Sequence, residues 1–134
     1  MSQSRRSPGY YGARVEEWVL STYGLERSYE PVNGVRMDAV NPENGQPVEI
    51  KAVASNRRGG RTNEVRFKIW RDQHDALEAA GGYYVFVVYR LRSDGIRVQQ
   101  ARSVRAHSLS IEWYGETVPR GREQAEIPSW KLFG

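Results

Sequence analysis

Cysteine is absent from the 134-residue chain, which removes disulfides, thiolate metal sites and cysteine nucleophiles together. Histidine is nearly absent. His74 and His107 are the only imidazoles, too few for a multi-histidine metal cage. Lysine is scarce as well, with Lys51, Lys68 and Lys131 the only ones among 20 basic residues. No uninterrupted apolar run approaches the roughly 20 residues of a membrane helix, and Tyr83–Tyr89 is only strand-sized. Met1–Tyr10 is basic with no apolar stretch behind it, so neither a secretory signal nor a membrane association is expected, and the expected setting is cytoplasmic. Internal repeats and low-complexity linkers are missing too, and the length suits a single domain over 1–134.

What is present is the composition of a folded globular domain: 39% hydrophobic and 27% charged residues, with a mean hydropathy of -0.71. The 20 basic residues against 16 acidic ones give a net charge of +4. Arginine supplies nearly all of the positive charge, and its planar fork grips phosphate bidentately, which suits a nucleic-acid partner. A GC-rich coding sequence would give the same bias, so composition alone leaves both explanations open.

Periodicity organises the chain. Residues 1–9 read as a loose basic arm. Val15, Trp18, Val19 and Thr22 follow helical spacing, so Tyr11–Tyr23 is expected to be a helix ended by Gly24. Glu26–Glu30 and Val35–Asn41 read as strands. Asn41–Pro47, centred on Asn44-Gly45, is a dense turn signal before a strand over Val48–Ala54, so 35–54 forms a hairpin. Ser55–Asn63, with Arg57, Arg58 and Arg61 around Gly59-Gly60, reads as an exposed basic loop with nothing to bury. Val65–Ile69 is extended, Trp70–Ala80 helical, and Tyr83–Arg90 apolar on both faces, as in a central strand covered on both sides. A turn at Ser93–Gly95, a strand over Ile96–Ala101 and a short helix over Ser103–Leu109 follow. The remainder, with Trp113, Tyr114, Trp130 and Phe133, has no clear periodicity. The expected architecture is α/β (α+β), a mixed sheet flanked by helices in the order α-β-β-β-α-β.

Charges inside strands are unusual, and three of them converge here. Asp38 falls between Met37 and Ala39 in the second strand, while Glu49 and Lys51, two apart on the third, share a face. The hairpin brings Asp38 and Glu49 onto adjacent strands. Two carboxylates beside a lysine make a hard-cation site with room for water, the arrangement that Mg²⁺ chemistry on phosphates requires. Glu16 can join them from the first helix if Gly12 marks a close approach of helix and sheet.

The run Gly12-Ala-Arg-Val-Glu16, then Met37-Asp38, then Glu49-Ile50-Lys51 resembles the PD-(D/E)xK nuclease superfamily, and most closely the archaeal Holliday-junction-resolvase group. The resemblance covers about residues 5–90, with Met37 where a proline usually precedes the aspartate. It implies a restriction-endonuclease-like core over 10–90 with a C-terminal strand and extension over 91–134. The implied activity is a Mg²⁺-dependent DNA endonuclease, with Mn²⁺ able to substitute. Its catalytic residues would be Glu16, Asp38, Glu49 and Lys51, with metal ligands from Asp38, Glu49, the Ile50 carbonyl and Glu16. Arg5, Arg6, Arg57, Arg58 and Arg61 would grip the DNA backbone, and Gln73 and Ser55 are secondary positions. A four-way junction has twofold symmetry, so a homodimer is expected, with the tail around Trp113, Tyr114 and Trp130 as its surface.

Each residue also has an ordinary structural explanation. Glu16 fits the solvated face of a helix, Glu49 and Lys51 a surface salt bridge, the arginine loop a solubilising segment, and Gln73 and His74 an exposed helix surface. A sequence-specific restriction or homing-type endonuclease and a non-catalytic nucleic-acid-binding module are the rival functions.

Overall fold

The computed structural model describes residues 8–55, 65–114 and 123–133. The basic arm with Arg5 and Arg6 and the loop residues Arg57, Arg58 and Arg61 lie outside these described residues.

Helix α1 (Pro8–Tyr23) is followed by β1 (Glu26–Arg27), β2 (Ala39–Val40), β3 (Pro47–Ala54) and β4 (Arg66–Trp70). Next come α2 (Arg71–Ala79), β5 (Tyr83–Arg92) and β6 (Gly95–Arg105), then a 3₁₀ turn at Ala106–Ser108, β7 (Gln124–Pro128) and α3 (Ser129–Phe133). The main sheet runs β1-β2-β3-β5-β6. All its pairings are antiparallel except β3 with β5, whose parallel ladder runs from Val48↔Tyr83 to Ala54↔Tyr89. Parallel neighbours need a crossover, and β4 and α2 lie within it. The mixed α+β architecture expected from the sequence is the one observed. Among the described residues no helix is long and apolar enough to cross a membrane.

Strand β5 explains the two-sided core. Val85 and Val87 face one way and pack with Val15 and Val19 of α1, Ala39 and Val48. Tyr84, Phe86 and Val88 face the other way and join Phe67, Ile69, Leu77, Ile127 and Leu132. The Phe67 and Phe86 rings meet edge-on at 5.0 Å between centroids, a favourable aromatic geometry. The C-terminal segment that lacked periodicity belongs to this second core. β7 pairs antiparallel with β4 in a separate two-stranded sheet, and Leu132 of α3 is buried. Its signal was hidden because β7 and α3 are five residues each, too short for a period to show.

Several boundaries differ from the sequence-based expectation. The first helix starts at Pro8 rather than Tyr11. Glu26–Glu30 contracts to a two-residue strand, and Val35–Asn41 to Ala39–Val40. Asp38 therefore stands in the bend before β2, not inside it. β6 continues through Arg105, so Ser103–Leu109 is strand and then a single 3₁₀ turn rather than a helix. Gly12 does not mark a close approach, because it is exposed and a Cβ there would meet open space.

A glycine is required at Gly82 instead. It is buried, and a Cβ built on it would lie 2.5 Å from the Pro47 carbonyl oxygen and 2.6 Å from Leu77 Cδ1. Backbone on one side and a fully buried leucine on the other leave little room to yield. Gly82→Ala should destabilise the fold by about 1–3 kcal/mol through overpacking, measured as a lowered denaturation midpoint. An unchanged midpoint would mean that the α2–β5 junction is looser than its geometry.

Candidate active site

The hairpin turn sets the site. Gly45 adopts a φ of 74°, and its amide donates to the Asn41 carbonyl at 2.7 Å, closing the turn where Asn44-Gly45 was expected. The register Ala39↔Val48 then places Asp38 beside Glu49. Asp38 Oδ2 accepts the Ile50 amide at 2.8 Å, and Glu49 Oε1 accepts the Asp38 amide at 3.2 Å. A carboxylate thus serves a β3 donor that a longer β2 would have met with a main-chain carbonyl. This is why the ladder stops at Ala39 and why both acids sit at the opening it leaves.

Glu49 is 4% exposed. Burial, reinforced by the charge of Asp38, pushes its carboxyl up to about 8, with Lys51 opposing the shift. Lys51 Nζ lies 3.5 Å from Glu49 Oε2 and donates to Gln73 Oε1 at 3.2 Å. Gln73 is half-buried and holds the ammonium, so it is not a free surface residue. The Glu49–Lys51 pair is likewise set into the protein rather than spread on its surface.

Glu16 lines the same groove, of about 410 Å³, together with Asp38, Glu49, Gln73, Tyr29 and Arg36. Its carboxylate is engaged by Arg27, so the structure brings Glu16 to the groove but hands its charge to a cation. Ser55, expected in an exposed loop, is 5% exposed; its hydroxyl donates to Gln99 Oε1 on β6, fixing the end of β3 and not the acidic cluster. Ile50 packs partly buried against the α1-side core, while its amide serves Asp38.

His74 is a further correction. It is 5% exposed, not a surface histidine. Its Nδ1 is 2.8 Å from the Tyr84 hydroxyl, and the two rings stack with centroids 5.8 Å apart. Burial lowers the His74 pKa against the pull of Glu78 and Asp75. Tyr84 stands opposite Glu49 in the parallel ladder, and burial raises its pKa. Trp113, expected on an outer surface, packs inward at 5.6 Å from the His74 ring, whereas Tyr114 and Trp130 are exposed.

Sequence reasoning missed a second groove of about 570 Å³ beyond Lys51, lined by Arg66, Lys68 and Tyr89 among others. Its signal was available. In β4, exposed Arg66, Lys68 and Trp70 alternate with buried Phe67 and Ile69, which puts both cations on one face.

The donor set fits a divalent cation. Two adjacent carboxylates, one buried and resisting ionisation, favour a hard ion in place of a proton, and oxygen donors with open positions match the habit of Mg²⁺. The fit is to two carboxylates. Among the described residues no group of three or more His, Cys, Asp or Glu side chains converges.

The site thus joins an Asp in the bend before one hairpin strand to a Glu-x-Lys on the next, in a mixed sheet flanked by helices. A family model described as PD-(D/E)XK nuclease superfamily domain matches residues 1–134, and the chain belongs to that superfamily. No curated protein and no solved structure matches the chain significantly. Membership implies a nuclease domain with a nucleic-acid substrate, in a superfamily that typically uses divalent metal ions.

The raised Glu49 carboxyl has a consequence for stability. The folded state holds that proton from the ordinary value of 4.5 up to about 8, whereas the unfolded chain releases it near 4.5. The contribution is therefore complete below about pH 4.5 and is lost as pH rises through about 8. Metal-free wild type should lose melting temperature over this window relative to Glu49→Gln, and Mg²⁺ at pH 8 should restore it in wild type alone. Parallel pH profiles for the two proteins would count against a buried Glu49.

Proposed function

We propose that the chain is a Mg²⁺-dependent endodeoxyribonuclease, a single nuclease domain over 1–134 that cuts branched DNA in the manner of the archaeal Holliday-junction resolvases. The observation that carries the catalytic part is the buried Glu49 carboxylate next to Asp38, with Lys51 held at the rim by Gln73. Asp38, Glu49 and the Ile50 carbonyl hold the cation in this reading. When bound, Mg²⁺ or its substitute Mn²⁺ polarises the phosphate and makes a coordinated water more acidic. Lys51 would orient the attacking water and steady the charge that builds on the phosphate oxygens. Gln73 acts through Lys51 by fixing its ammonium. Glu16 contributes a third carboxylate once Arg27 turns to the phosphate backbone.

Arg5, Arg6, Arg57, Arg58 and Arg61 grip the DNA backbone in this reading. Such contacts set affinity and position but carry no base information, which suits recognition of shape. Two cuts across a twofold junction call for a homodimer, and exposed Tyr114 and Trp130 form its surface.

Incubating the protein with Mg²⁺ and labelled duplex, flap and four-way junction in parallel tests the reading. Cleavage of the junction in preference to plain duplex is the expected result, and site-specific cutting of duplex would replace it with a restriction-type activity. Asp38→Asn and Glu49→Gln should each abolish cleavage while DNA binding stays intact or tightens, since both groups repel phosphate. A wild-type rate in either variant would move the site elsewhere.

Lys51→Ala should slow cleavage by about 10²–10⁴-fold, the usual size of general acid–base and electrostatic effects, with little change in the Mg²⁺ concentration needed. Normal single-turnover rates in that variant would transfer the handling of water to another residue.

A further inference from the structure

The groove that holds Asp38 and Glu49 is lined on one side by Ser28, Tyr29 and Arg36, and the backbone that carries them is tied at several points. Val32 and Val35 exchange both backbone hydrogen bonds, at 2.8 and 2.9 Å. Asn33 and Gly34 between them take φ values of 51° and 80°, the left-handed pair that closes a two-residue turn. The turn is pinned to α2 by Asn33 Nδ2, which donates to the Ala76 carbonyl at 3.4 Å. At the other end the Ser28 amide donates to the Asp38 carbonyl at 3.2 Å, and the Ser28 hydroxyl reaches over Tyr29 to the Glu30 carbonyl at 3.2 Å.

Tyr29 sits inside that bracket, one residue from a direct tie to a candidate metal ligand. It lines the groove and is 77% exposed, the most exposed large hydrophobic side chain among the described residues. It packs against no other described ring, while the turn beyond it buries Val32 and Val35 against the core. Arg36, also exposed and without a carboxylate partner among the described residues, closes the same wall. An exposed aromatic face and an exposed guanidinium lining one groove match one nucleotide: base on ring, phosphate on arginine.

Resting on the nuclease reading above, the geometry points to Tyr29 as a stacking platform for a base freed from its neighbours, in the same groove as Asp38 and Glu49. In continuous duplex both faces of every base are covered, so the ring has nothing to receive. A flap, gap or branch point offers an open base face. The substrate class is DNA interrupted at the cut, and Tyr29 is the residue that senses the interruption.

The test uses the full-length protein with Ca²⁺ in place of Mg²⁺ and two DNA probes of one sequence. One is an intact duplex, and the other carries an unpaired 2-aminopurine at a branch. Wild type should bind the interrupted probe more tightly and quench its fluorescence. Tyr29→Ala should weaken that binding by about tenfold, within the range found for removing a base-stacking aromatic, and abolish the quenching, with duplex affinity unchanged. Tyr29→Phe should behave as wild type. Equal losses on both probes, no loss on either, or failure of Tyr29→Phe to retain quenching would each overturn the assignment. Stacking without Mg²⁺-dependent cleavage by wild type would instead sink the nuclease reading and leave the stacking site standing.

Discussion

A carboxylate taken out of water next to a second carboxylate is the constraint around which this domain is arranged. Glu49 is nearly inaccessible, and Asp38 faces it across the hairpin. An ionised acid in that position is expensive unless something answers its charge. The fold supplies part of the answer with hydrogen bonds from the Asp38 amide and the approach of Lys51. The remainder is left open, and two carboxylates with that imbalance fit a cation better than they fit each other. The tight turn at Gly45, the early end of β2 and the placement of Gln73 on α2 all serve to keep the two acids together in that state.

Charge is divided along the molecule in a way that complements this. On one side of Lys51 the groove carries Glu16, Asp38 and Glu49 together with Arg27 and Arg36; on the other lie Arg66 and Lys68. A polyanion lying across both would meet cations in each groove. Its phosphates would be drawn along the surface and brought to the one place where the protein alone repels them. His74 and Tyr84 form a stacked, hydrogen-bonded pair, with Tyr84 opposite Glu49 in the parallel ladder.

Much of this was legible in the sequence because it depends on local patterns. The hairpin could be read from Asn44-Gly45, the shared face of Glu49 and Lys51 from their spacing, and the central strand from an apolar run that ignores alternation. What could not be read depends on tertiary contacts. Asp38 looked like a strand residue because nothing local shows that its side chain will replace a main-chain acceptor. Gly12 drew attention in place of Gly82, since a glycine's neighbours in space are not its neighbours in sequence. His74 looked solvated between Asp72 and Asp75, yet a helical neighbour one position away faces a different direction, and His74 is the residue that points at Tyr84. Ser55 looked like the start of a polar loop, but its hydroxyl reaches Gln99 on the far side of the sheet.

The parallel pairing of β3 with β5 also bears on the order of assembly. Asp38 and Glu49 meet through a hairpin closed by a short turn, a contact that forms quickly and from local information. The strand that seals Glu49 from water is separated from it by everything between Ala54 and Tyr83, and long loops close late. Through the first stage of folding the two acids are therefore neighbours in water, where their proximity carries little penalty. The electrostatic burden arrives only when β5 docks, so it falls on the last long-range step and not on the nucleation of the hairpin.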